Sequence, residues 1–264
     1  MTAALTEISM SLNKSLLLCA AVLVASTGCS SIQVKKDKVT AAKKVAIIGY
    51  AGTLNLDEGK QKGGIMGTIG AIKGAQDLMS GKLDARRIEQ AEAGYAELAK
   101  RLTTNFNFGV NDHATLATSP TYAQQLQKTP STGLMVAGLQ HLPDVLRADV
   151  VSSMKPAQRQ AVAQELGVDA LASLKVRYEV GKKGGFAVAG MGKTTTYPVA
   201  VLDFTVYDAA GQEVWRDFYA RGQVTNDGVA TTMGADIVSN ESEVLNAALV
   251  TGLDALLARY NEAK

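Results

Sequence analysis

Ser152 and Lys155 stand three residues apart ahead of Pro156, the spacing that puts a serine nucleophile and a lysine on one turn of a helix. Acyl transfer by such a pair also needs a Ser-Asp-Asn-type element and a Lys-Thr-Gly strand. Ser-Asp-Asn is missing from the chain, and Lys193-Thr194 runs into Thr195 rather than Gly. Helix capping by Ser152 or Ser153 accounts for the serines without chemistry. Gly190-Met191-Gly192-Lys193-Thr194 ends like a phosphate-binding loop, yet Ala187 occupies the position of its first glycine. A helix should follow such a loop, and Pro198 with a β-branched stretch follows instead. His113 and His141 are the only histidines, with no cysteine partner, so a four-ligand His/Cys metal site is excluded. No Gly-x-Ser-x-Gly elbow occurs. The sequence therefore offers no catalytic residue, no metal ligand set and no cofactor.

The polar residues that remain belong to strands. From Leu171 the chain alternates with period two. Ala172, Leu174, Val176, Tyr178 and Val180 point one way, and Ser173, Lys175, Arg177 and Glu179 the other. That is a strand with one face on a core and one in water. Asp203 lies opposite the apolar face of the next strand, where it can pair across the sheet with Lys175 and Arg177. Trp215 and Tyr219 share a face of a third strand by the same count. They read as core residues, or as a partner-docking pair if that face is open.

Residues 14–29 decide where all this happens. Lys14 is followed by ten apolar residues, 16–25, then Ser26-Thr27-Gly28 and Cys29. Charge, apolar core and small residues in that order are an export signal. Ten residues fall short of the roughly 20 a spanning helix needs. The Cys ending resembles the lipobox of bacterial lipoproteins, although Ser26 stands where Leu is commonest. The resemblance implies cleavage after Gly28, acylation of Cys29 with palmitate-type chains, and sorting by Ser30 to the periplasmic side of the outer membrane. Met10 makes a more regular start for this signal than Met1, which adds Glu7 and no basic residue.

The expected mature chain of 236 residues carries 26 basic and 24 acidic residues, a net charge of +2 that argues against nucleic-acid binding. Cys19 leaves with the signal and Cys29 carries lipid, so no disulfide forms within one mature chain and packing alone holds the fold. The expected organisation is a signal at 1–28, a lipidated cysteine and tether at 29–43, and one α/β domain at 44–264. Lys35, Lys36 and Lys38 in the tether each gain about 1 kcal/mol beside an anionic leaflet, or simply keep a linker soluble.

Within the domain, residues 44–50 read as a strand buried on both faces and 51–59 as loop. Residues 59–81 form a Gly-rich insertion. Gly63, Gly67, Gly70 and Gly74 make one stripe and Ile65, Ile69 and Ile72 another. The insertion reads either as a loop or as a helix that touches membrane or a second copy through its small-residue stripe. Residues 84–102 read as a helix capped by Asp84, with Ile88, Ala91, Tyr95, Leu98 and Leu102 as its apolar stripe. A weak strand is expected at 114–118, and a helix capped by Ser119 with Pro120 at its first position. Residues 129–142 read as loop, and Pro143 opens a helical turn. A further helix follows Pro156 and stops at Gly167.

Strands at 171–180, 199–207 and 213–221 then form a three-stranded antiparallel meander. A Gly/Lys connection at 181–196 and a turn at 208–211 join them, and another turn sits at 226–228. A closing helix at 241–260, with Asn240 and Glu243 at capping-box spacing, buries Leu245, Leu249, Leu253, Leu256 and Tyr260. Strand–helix units, then a meander, then a helix define an α/β class with a mixed sheet.

Two passages carry a family resemblance: Leu166-Gly167-Val168-Asp169-Ala170, and the run from Val206 to Trp215 through Asp208-Ala209-Ala210-Gly211. They resemble envelope proteins that share an anticodon-binding-like α/β domain. These are the curli-secretion lipoprotein, the peptidoglycan-synthase activator lipoprotein and the N-terminal domain of the Tol propeller protein. The resemblance implies a fold that works by binding or pore formation, without catalytic residues.

The expected function is a non-enzymatic, outer-membrane-anchored lipoprotein that binds or assembles cell-envelope components. An envelope protein or peptidoglycan-associated partner and a homo-oligomer fit this reading. The alternatives are an oligomeric pore subunit of curli-exporter type and an envelope hydrolase without a recognisable motif.

Overall fold

The computed structural model describes residues 32–53, 82–128, 139–140, 148–188, 191–223 and 241–263. The signal, Gly28, Cys29, Ser30, the whole 59–81 insertion with its glycine and isoleucine stripes, Asn240 and the turn at 226–228 lie outside these residues. Among the described residues, the chain from Ile32 onward is one compact α/β unit.

Seven strands make one mixed sheet: β1 (Ile32–Val34), β2 (Lys44–Thr53), β3 (Gly109–Asn111), β4 (Leu139–Gln140), β5 (Ala170–Val188), β6 (Met191–Asp208) and β7 (Glu213–Gln223). Their order is β1-β7-β6-β5-β2-β3, with β4 pairing the end of β2. β2 runs parallel to β3 and β5, while β5, β6 and β7 form the antiparallel meander. The apolar run of β2 is central, as its composition predicts, and Val45, Ala46, Ile47 and Ile48 are at most 1 % exposed.

The helices are α1 (Lys36–Ala41), α2 (Lys82–Phe106), α3 (Pro120–Lys128), α4 (Ala148–Ser153), α5 (Pro156–Leu166) and α6 (Glu241–Glu262). α2 and α6 pack together on one face of the sheet, α6 against β6 and β7 and α2 against β2. The α6 stripe of Leu245, Leu249, Leu253, Leu256 and Tyr260 is buried, as are Ala91, Leu98 and Leu102 of α2. α6 lies unusually close to β7. A Cβ at Gly222 would come within 1.9 Å of the Gly252 amide nitrogen, so the contact requires a bare backbone. α4 covers β2 and β5 on the opposite face, where Ser173 is buried.

Several local expectations change. Residues 32–43 are not a tether: β1 adds to the sheet edge against β7 and α1 follows, because Ile32 and Val34 pair with the buried Asp217 and Trp215 and Val34 packs on the core. Residues 114–118 form a 3-10 helix (His113–Thr118) instead of a strand. The Asp112 carboxylate accepts the Ala114 N–H at 3.0 Å and turns the chain, and the edge strand falls earlier, at β3. Asp84 lies inside α2 rather than before it. β2 continues to Thr53, and Leu139–Gln140 pairs with it where loop was expected.

Ser152 and Ser153 do not cap α5. Both end α4, and their hydroxyls donate back to the carbonyls of Ala148 and Val150 at 2.9 and 2.7 Å. The Gln158 side chain accepts the Lys155 N–H at 2.7 Å in their place. Ser119 does cap α3, accepting the Tyr122 N–H at 3.1 Å, and Gly167 ends α5 in the left-handed region at φ 63°.

The largest difference is at 181–196. β5 and β6 continue through this stretch as a paired hairpin, from Gly181↔Tyr197 to Val188↔Met191. β2 leaves β5 at Arg177, and β7 leaves β6 at Val199. Among the described residues, 180–188 and 191–198 therefore pair only with each other, as an arm beyond the sheet. Glycine and lysine lower strand propensity, and the ladder begun by the long buried meander continues past them with a bulge between Lys183 and Gly185.

Candidate functional site

The α4 side of β5, β6 and β7 gathers most of the polar residues singled out from sequence. Its geometry is a grid of cross-strand rows. Arg177 pairs with Val201, and Val201 with Arg221. Lys175 pairs with Asp203, and Ser173 with Thr205, which pairs with Arg216. Residues paired across strands share a face, so Lys175, Arg177, Arg216 and Arg221 converge around one carboxylate. Arg177 and Arg221 are exposed, whereas Val201 between them is only 4 % exposed.

A bulge decides which aromatics join this face. Leu202 pairs with Ala220 and Phe204 with Asp217, so Asp203 alone faces both Phe218 and Tyr219. Period-two counting fails across that extra residue. Trp215 points to the other face and is fully buried, with ring centroids 4.8 Å from Phe204 and 4.6 Å from Tyr260. Tyr219 turns outward and is 57 % exposed. Trp215 is thus removed from the expected partner surface, and Tyr219 stays on it. Arg216 lies over the Phe218 ring at 3.8 Å and pairs with Glu213 at 3.4 Å. Sequence reasoning missed Arg216, Phe218 and Arg221. Their alternation in β7 was readable, but the bulge that orients them was not.

Burial pushes the Asp203 carboxyl above its ordinary range, against the pull of Lys175, Arg216 and Arg177. Lys175 Nζ donates to Ser152 Oγ at 2.8 Å. The Ser152 hydroxyl spends its own proton on the Ala148 carbonyl, so the serine faces a donor and not a base. Lys155, the lysine of the sequence motif, lies in the cap of α5 with its backbone engaged. β6 follows Gly190 as a strand, so no helix N-terminus meets Gly192-Lys193-Thr194. His113 stands edge-on to Tyr95 at 5.3 Å, and His141 lies outside the described residues. Among the described residues, no group of three His, Cys, Asp or Glu side chains is close enough to hold a metal.

A cavity of about 270 Å³ lies on the other face, lined by Thr40, Asn105, Phe106, Leu257, Tyr260 and Asn261, with no charged side chain. No described helix is long and apolar enough to cross a membrane.

The Asp169 of the first family-like passage has a structural role. Its Oδ2 accepts the N–H groups of Lys43 and Lys44, both at 2.9 Å, tying the start of β5 to the start of β2. Those two hydrogen bonds hold its carboxyl below the ordinary range. In the second passage, Asp208 Oδ1 accepts from the Ala210 and Gln212 N–H groups, and Gly211 takes φ 72°.

No family model matches this chain, and no curated protein does. Among solved structures it is similar to the lipoprotein GNA1162 from Neisseria meningitidis, at 13 % identity and a TM-score of 0.35. That match covers 84 % of this chain and 99 % of the other.

Proposed function

We propose that the chain is a non-enzymatic envelope lipoprotein, anchored through acylated Cys29 in the outer membrane, whose α/β domain binds an anionic envelope partner at the exposed Arg177, Arg221 and Tyr219 of the β5–β6–β7 face. The observation that carries this reading is the grid of Lys175, Arg177, Arg216 and Arg221 around Asp203, with Tyr219 standing out of it. Four cations with an exposed aromatic on a rigid sheet favour an acidic protein segment, since arginine and tyrosine are the residues most enriched where binding energy concentrates. Crosslinking in intact cells from a photoreactive residue at position 219, followed by mass spectrometry, tests the site. A partner whose capture is lost in Arg177→Glu/Arg221→Glu supports it, and capture unaffected by that change overturns it.

A second reading, an oligomeric secretion or pore subunit of the curli-exporter type, is favoured by one specific observation: the hairpin arm of 180–188 and 191–198. Transmembrane strands need about 9 to 11 residues. Detergent-extracted protein that sediments as a large ring is the outcome this reading requires.

A further inference from the structure

We infer that the hairpin arm is a second membrane contact, seated in the interfacial layer of the leaflet that holds the acyl chains of Cys29. Its orientation rests on the anchored reading above. β1 is antiparallel to β7, and β7 to β6, so β1 runs parallel to β6. The N-terminal end of β1, from which the chain leaves toward Cys29, therefore points the same way as Met191, where β6 leaves the hairpin tip. The start of β1 and the hairpin tip face one end of the sheet.

Ile32 pairs with Asp217, which pairs with Phe204, so Ile32 and Phe204 share one level of the sheet. Three residues reach from Cys29 to Ile32, at most about 11 Å of chain. Met191 precedes Phe204 by thirteen residues, about 40 Å along the strand. A domain held that tightly by Cys29 cannot stand upright with its arm clear of the bilayer. Tilted, the domain lays the arm along the leaflet surface.

The arm's sequence fits a phospholipid interface. Phe186, Ala187, Val188 and Met191 lie at its distal end, and Lys182, Lys183 and Lys193 lie at or just below that level, at the register positions Lys182↔Thr196, Lys183↔Thr195 and Phe186↔Lys193. Apolar residues backed by lysines match an acyl–headgroup boundary bearing anionic phosphates. Among the described residues both outer edges of the arm lack strand partners. Hydrocarbon would leave those backbone groups unsatisfied, which keeps a single arm at the interface.

The test uses the full mature chain with Cys29→Ser, so that no acyl chain contributes. Flotation is measured with vesicles of phosphatidylethanolamine and phosphatidylglycerol (3:1) and with phosphatidylcholine vesicles. The chain should float with the anionic vesicles. Lys182→Ser/Lys183→Ser/Lys193→Ser should weaken binding by about a hundredfold, and Phe186→Ser/Met191→Ser should abolish it, with circular dichroism unchanged in both.

A Phe186→Trp chain should shift its emission to the blue with vesicles, over a constant background from the fully buried Trp215. Absence of flotation and of any shift from a folded chain overturns the inference. So does quenching of the position-186 tryptophan from the bilayer centre in a ring-forming sample, which would make the arm a barrel strand pair. Neither result bears on acylation, which a lipid label on Cys29 reads separately.

Discussion

Asp217 and Arg259 form a two-pronged ion pair, with Nε to Oδ2 at 2.6 Å and a terminal nitrogen to Oδ1 at 3.1 Å, and the Asp217 side chain has no exposure at all. Asp217 Oδ1 also accepts the Tyr219 N–H at 3.0 Å. One carboxylate thus ties the closing helix to the sheet and holds the bulge that turns Tyr219 outward.

Removing one partner of that pair strands a buried charge. Arg259→Met should cost about 3–5 kcal/mol of stability, read as a lower urea midpoint. Arg259→Met with Asp217→Leu should cost clearly less, because neither charge is left. If the single and double changes cost the same, the pair does not act as a unit.

The α6–β7 approach admits no added atom at Gly222. Gly222→Ala should destabilise by about 1–3 kcal/mol through overpacking, while Gly167→Ala, where a Cβ meets nothing but φ is 63°, should cost about 1 kcal/mol. Thermal melts of the two variants separate crowding from backbone strain.

Two carboxylates should give stability opposite pH dependences. The Asp169 carboxyl is held down in the folded chain by the Lys44 and Lys43 N–H groups. Its contribution is present above the ordinary carboxylate range and lost as pH falls through the lowered folded value. Asp169→Asn should cost about 1 kcal/mol at neutral pH, and the deficit should close in acid.

The Asp203 carboxyl is raised by burial, so stability falls as pH climbs from the ordinary value to the raised one. Asp203→Asn should leave neutral-pH stability equal or higher and remove that slope. Urea titrations at several pH values check both signs.

Replacing the exposed arginines should separate binding from folding. Arg177→Glu/Arg221→Glu should change stability by no more than about 1 kcal/mol while abolishing partner capture, and raised salt should weaken capture by the unaltered chain. A large loss of stability would make the grid structural.

The sequence by itself determined the elements that depend on local order. An unbroken apolar run made β2 central, a 3–4 spacing of leucines made α6, Ser119-Pro120 opened α3, and Asp208 with Gly211 made the turn before β7. Each follows from neighbours within a few residues, which is the range over which periodicity and capping act.

Tertiary structure decided what distant segments supply. β7 recruited residues 32–34 into the sheet, and the ladder of the meander ran on, through one bulge, into a hairpin of glycines and lysines that read as a connection. Asp203 opposite two residues created the bulge that buries Trp215 and exposes Tyr219. α4 reached Lys175 through Ser152. Those outcomes turn on pairing partners far apart in the chain, and a one-residue slip there reverses which side chains meet solvent.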